Sequence, residues 1–124
     1  MANPNIINVT TILGKSAVVS LTTTAATAVL SNAAASGKVF KINSLVVSNV
    51  DGTNAADITV SYYSAAAIGG TATQIVSTVS VPADASLIVI DKNTSLYLEE
   101  DRSIGATAGS ANDLKVVVSY EDIS

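Results

Sequence analysis

The chain contains no cysteine, no histidine and no tryptophan. Without cysteine no disulfide can brace the fold, so stability has to come from a packed core. At 124 residues a single domain buries roughly two-thirds of its unfolded surface, which is enough for one. Without histidine or cysteine, the nucleophile–base pairs built on those residues are excluded, as are transition-metal sites made from imidazole and thiolate. A serine–lysine pair remains formally open, but no GxSxG or SxxK pattern singles out a serine. The reading is therefore non-enzymatic, with no catalytic residue, no cofactor and no metal assigned.

Charge is scarce as well. Only 13% of residues are charged and the net charge is −4, against about 25% charged in average domains. The basic residues Lys15, Lys38, Lys41, Lys92, Arg102 and Lys115 are scattered. A phosphate-binding surface needs them clustered, so nucleic acid is not an expected partner. No run approaches the ~18 consecutive apolar residues of a membrane helix. Residues 1–14 lack the basic start and compact apolar stretch of a secretory signal, so synthesis in a cytoplasm is the expectation. A surface of hydroxyls, amides and methyls is poorly protected against association, which favours contact with copies or partners.

Alanine, valine, isoleucine, serine and threonine supply most of the chain, and turn residues interrupt β-branched segments every ten or so positions. That rhythm predicts a single-domain, all-β antiparallel sandwich of jelly-roll-like or Ig-like type. The clearest strand is 57–63, with Ile58, Val60 and Tyr62 on one face and Thr59, Ser61 and Tyr63 on the other. Before it, 38–50 reads as a long strand. Phe40, Ile42, Val46 and Val50 share one parity there, but Leu45 and Val47 break the alternation, which predicts a bulge or a second buried face. Asp51-Gly52 between the two strands predicts a hairpin. Further strands are predicted at 6–13, 17–21, 74–81, 86–91, 94–98, 104–108 and 114–120. In 74–81, Ile75, Val79 and Val81 share the inward parity. The Ala-rich stretch 22–36 is read as a strand near 27–31 followed by a loop. Predicted core residues are Phe40, Ile58, Val60, Tyr62, Val79, Leu98, Val116 and Val118. Leu45, Val47, Val76 and Val117 are left on outward or second faces.

Three features are candidates for contact. Residues 1–14 read as an arm ahead of a sandwich at 15–124, since Ile6, Ile7, Val9 and Ile12 are too apolar to hang free in water. Such an arm can add a strand to a neighbour's sheet edge. Glu99, Glu100 and Asp101 form an acidic cluster between strands. Adjacent acids do not face each other as a hydrolase pair must, so the cluster reads as a solvated turn with Arg102 as counter-charge, with Ca²⁺ or partner contact as the sharper alternatives. Tyr63 and Tyr97 are the tyrosines predicted to face outward, which keeps a carbohydrate- or cell-surface-binding module as a further alternative.

Several stretches carry a resemblance. Val81-Pro82-Ala83-Asp84-Ala85-Ser86-Leu87-Ile88-Val89-Ile90, Leu96-Tyr97-Leu98-Glu99-Glu100-Asp101-Arg102-Ser103-Ile104 and the ending Val116-Val117-Val118-Ser119-Tyr120-Glu121-Asp122-Ile123-Ser124 resemble small virion structural proteins of tailed phages, cyanophages among them. The opening around Asn5-Ile6-Ile7-Asn8-Val9 and the middle from Lys41 to Gly52 fit the same pattern. The resemblance implies a non-enzymatic virion component. A capsid decoration (cement) protein on the head surface, often a homotrimer bound to the major capsid protein, fits best. A neck, connector, tail or baseplate protein is the rival. Here Glu100 runs directly into Asp101 where the resemblance leads one to expect an intervening glycine.

Overall fold

The computed structural model describes residues 4–124. Nine strands form two packed antiparallel sheets: β1 (Ile12–Leu21), β2 (Thr27–Asn32), β3 (Val39–Asn49), β4 (Ala56–Ala65), β5 (Gly69–Val81), β6 (Ser86–Ile90), β7 (Leu96–Leu98), β8 (Arg102–Ala108) and β9 (Leu114–Ile123). One sheet, here sheet A, runs β1-β9-β3-β6, with β7 also on β3; the other, sheet B, runs β2-β8-β4-β5. The chain is thus a long antiparallel ribbon, pairing 4 with 5, 3 with 6, 2 with 8 and 1 with 9, rolled so that successive pairs alternate between sheets. This is the jelly-roll order, the sandwich type the strand rhythm predicts. β6 and β7 lie end to end along β3, opposite Leu45–Ser48 and Phe40–Ile42. Between them stands a short 3₁₀ turn, Lys92–Thr94, capped by the Asp91 carboxylate.

The core comes from the inner faces of both sheets. Leu21, Ile42, Leu45, Val47, Ile58, Val60, Val81, Leu98, Ile104, Leu114, Val116 and Val118 are fully buried. Of the predicted core, Ile58, Val60, Leu98, Val116 and Val118 are enclosed completely and Phe40 nearly so, while Tyr62 and Val79 are half-buried and pack against it. Phe40 packs against Tyr120 with the ring planes tilted at 53° and the ring centres 5.2 Å apart.

β3 explains its own irregular pattern. Its register with β9 slips between Ile42 and Ser44, so inward parity passes from Phe40 and Ile42 to Leu45, Val47 and Asn49. Leu45 and Val47 are therefore core residues rather than surface ones, and Val50 is exposed. β5 does the same: Thr78 bulges at φ 50°, Val76 turns inward, and Ile75 is left at the rim of the sandwich, 39% exposed beside Tyr62, Ile90 and Leu96. The broken alternation at Leu45 and Val47 predicts the bulge in β3, and the slip moves every later side chain to the opposite face.

Two further readings are corrected. The Asp51-Gly52 turn does not close a hairpin, because β3 and β4 lie in different sheets. A turn signal fixes a change of direction but not the sheet to which the chain returns. The Asn49 amide, buried at the end of β3, ties the connection down by donating to the carbonyls of Asn54 (3.0 Å) and Val81 (2.9 Å). At the N-terminus β1 begins only at Ile12, and Ile6–Ile7 sit in a turn. The Ala-rich stretch does form a strand, β2, as its Thr and Val content predicts.

Candidate interaction surface

The outer face of sheet A carries an apolar row. Register pairs Val18 with Val117, Val117 with Val46 and Val46 with Ile88, so one side chain from each of β1, β9, β3 and β6 stands in line across the sheet. Val18, Val117 and Ile88 are 67%, 41% and 63% exposed, and Val46 is half-buried. On one side lies a hydroxyl-rich row, Ser20, Lys115, Ser48 and Ser86. Ser16, Ser119 and Ser44 lie on the other. Four branched aliphatic chains in register are a patch rather than a scatter of single surface residues.

Beside Val46 and Ile88 the row opens into a broad groove of about 620 Å³, lined also by Lys41, Asn43, Ser44, Asp91, Lys92 and Glu121. The β3 bulge and the 3₁₀ turn frame it. Its polar groups are largely occupied: Asp91 accepts from the backbone of Asn93 and Thr94, and Glu121 accepts from the Asn43 amide at 3.0 Å. Two lysines and two acids balance, so the groove has shape but no strong net field.

At the far end of the same face, Val39 and Ile123 are buried. Pro4 and Ile6 line a shallow cavity there with Val39, Tyr97 and Glu99. Thr10 and Thr11 bond to Ser124 and carry the β1–β9 pairing past the strand end. The arm predicted at residues 1–14 thus lies, over its described part, against its own sheet; residues 1–3 fall outside the described residues. Ile7 is almost wholly exposed, Ile6 and Ile12 are half-exposed, and Val9 is half-buried.

The acidic cluster is a turn, but only Glu99 of its three acids is exposed to solvent. Glu100 is buried, with 4% exposure. Asp101 adopts φ 57° and its carboxylate accepts from Ala66 N–H at 3.0 Å. Arg102 donates to the carbonyls of Ser64 and Asp101. These contacts belong to a clamp on the β4–β5 loop. Three consecutive amides, of Ala66, Ala67 and Ile68, donate to Asp101, Ser31 and Ser103. The loop lies over sheet B, where a Cβ on Gly105 would sit 2.8 Å from Ile68 and 2.9 Å from Tyr63. Glycine at 105 is what lets the loop approach so closely. Tyr63 is accordingly half-buried on sheet B, whereas Tyr97 is exposed on sheet A. The two tyrosines stand on opposite faces and do not form one stacking platform.

At the open end of the sandwich, Asp122 is buried and paired with Lys15 (2.8 Å) and Lys38 (3.3 Å). Burial works against its ionisation, but the hydrogen bonds and charges of the two lysines outweigh it and hold the carboxyl below its ordinary value. The same bond raises the Lys15 ammonium. Neither sequence spacing nor charge pattern marks this triad, because its members lie 84 and 107 residues apart. No group of three or more His, Cys, Asp or Glu placed to hold a metal occurs among the described residues.

No protein-family model matches the chain, and no curated protein does. Among solved structures, the chain is similar to a protein of Bacillus endospore appendages, described as a family of disulfide-linked pili. The TM-score is 0.53 at 16% identity, covering 92% of this chain and 88% of that one. The likeness is one of fold. It places the sandwich in known structural company, but disulfide linkage is not open to a chain without cysteine.

Proposed function

We propose that this chain is a non-enzymatic structural subunit that binds a repeating protein surface through the outer face of sheet A, most specifically a capsid decoration protein on the head shell of a tailed phage. The observation that carries the reading is the Val18–Val117–Val46–Ile88 row with its serine flanks. An apolar line across a rigid four-strand surface suits contact with a flat, repeated partner. Weak contacts multiplied around a symmetric shell hold firmly even when each is modest. The phage-like stretches around residues 81–104 and 116–124 support the same reading, since they supply β6, β7, the start of β8 and most of β9. The rival within the class is a neck, tail or baseplate component. Quantitative mass spectrometry of purified particles separates the two. A decoration protein is present in copy numbers commensurate with the major capsid protein, a connector or baseplate part at the order of one ring. Absence from the particle refutes both.

A further inference from the structure

A sheet edge left open invites another strand, and folded proteins usually blunt such edges with bulges, breaks, short strands or charge. This sandwich has four edges, and three are blunted. β2 has six residues and a register slip between Ala28 and Leu30. β5 slips against β4 at three places. β6 has five residues, slips against β3, and is cut off from β7 by the 3₁₀ turn. β1 differs from all three. It runs ten residues in unbroken register with β9 and contains no proline. Its one charge, Lys15, is drawn to Asp122 of its own chain.

We propose that β1 is a self-association edge, and that two copies join sheet A to sheet A by antiparallel β1–β1 pairing about a two-fold axis. The choice of a second copy follows from the edges themselves. Head-to-tail pairing would need two continuous edges per subunit, and this chain has one, so the only matching edge on another copy is the same strand. Centred on Val18, the pairing sets residues 15–21 against each other. Val18 meets its own copy and Ser20 meets Ser16, while Lys15 lies opposite Leu21 and away from the other Lys15. The two apolar rows then run into one. Around the axis hydroxyl meets hydroxyl and Val18 meets Val18, and each contact occurs twice, as two-fold symmetry requires. This inference does not rest on the shell-binding reading: it concerns the edge of sheet A, whereas that reading concerns its face.

The test uses the recombinant chain alone. Sedimentation over a concentration series into the millimolar range should show a monomer–dimer equilibrium. Val18→Lys places like charges face to face and should raise the dissociation constant about tenfold or more, with the melting of the monomer unchanged. The absence of native cysteine makes a single introduced thiol a clean reporter. Opposed residues of an antiparallel pair have Cα atoms about 4.5–5.5 Å apart, within disulfide reach. Val18→Cys should therefore oxidise to a covalent dimer, and Ile88→Cys, equally exposed on the blunted edge, should not. A monomer throughout the series, an oligomer indifferent to Val18→Lys, or equal cross-linking at positions 18 and 88 would each overturn the proposal. Failure of the chain to appear in particles would leave it untouched.

Discussion

Replacing Leu45 with alanine tests where β3 turns over. After the slip at Ile42/Ser44, Leu45 lies on the inner face of sheet A between Val118 and Ile90, fully buried. Its neighbour Val46 faces outward in the apolar row. Removing the Leu45 side chain beyond Cβ loses its transfer energy and leaves a cavity in a region framed by strands on both sides, which costs about 3–4 kcal/mol. For a chain of this size each kcal/mol lowers the melting temperature by about 4 °C, so a fall of roughly 12–16 °C is expected. Val46→Thr keeps the β-branch on a half-exposed site and should cost under about 1 kcal/mol. Urea denaturation at fixed protein concentration measures both, and unchanged slopes would place the effects in the folded state. If Val46→Thr costs as much as Leu45→Ala, or Leu45→Ala costs under about 1 kcal/mol, the bulge has been put in the wrong place.

The Asp122 triad makes a pH-dependent contribution. Because the folded carboxyl titrates below its unfolded value near 3.9, its stabilisation is complete above that value and is lost as pH falls through the folded one. Asp122→Asn should therefore cost about 1–2 kcal/mol near neutrality, the lysines being half-exposed. The deficit should shrink below about pH 4, and a deficit flat down to pH 2 would refute the pairing. Asn49→Ala removes the amide that bonds Asn54 and Val81 and leaves the buried Val81 carbonyl without that donor, so thermal melts should show a loss of about 1–3 kcal/mol. Ala67 occupies the left-handed region at φ 56° beside Ile68 at 52°. Ala67→Asn should stabilise by about 0.5–1 kcal/mol, since asparagine tolerates that conformation better, and a loss would mean that the loop is held differently.

Much of the fold is legible in the residues because hydrophobic period and turn chemistry are local. Ile58, Val60 and Tyr62 alternate cleanly, and the strand they predict is β4. The broken alternation at Leu45 and Val47 signals a bulge in β3 but not its position at Ile42/Ser44, and Val76 gives no such signal, so its inward face is not legible. The Asp51-Gly52 turn is legible as a turn but not as a crossing between sheets, which is decided by the whole roll of the ribbon. The acidic cluster misleads in the same way. Asp101 looks like a solvent residue until the β4–β5 loop, 35 residues earlier in the chain, is laid against it. The apolar row lies further still from any sequence signal. Val18, Val46, Ile88 and Val117 are unremarkable singly, and only the jelly-roll register sets them side by side.

Whether the outer face of sheet A binds a repeated protein surface, as proposed, is measured most directly by binding of recombinant chain to head shells purified without it. Ile88→Lys and Val46→Lys put a charge into the row without touching the core, and Ile75→Lys puts one on the β5 edge of the other sheet, at the rim of the sandwich. Melting curves should show all three folded. The account predicts saturable binding of the wild type and of Ile75→Lys, with binding by Val46→Lys and Ile88→Lys weakened by about tenfold or more. Full-strength binding by both row variants, or no binding by the wild type, would contradict it.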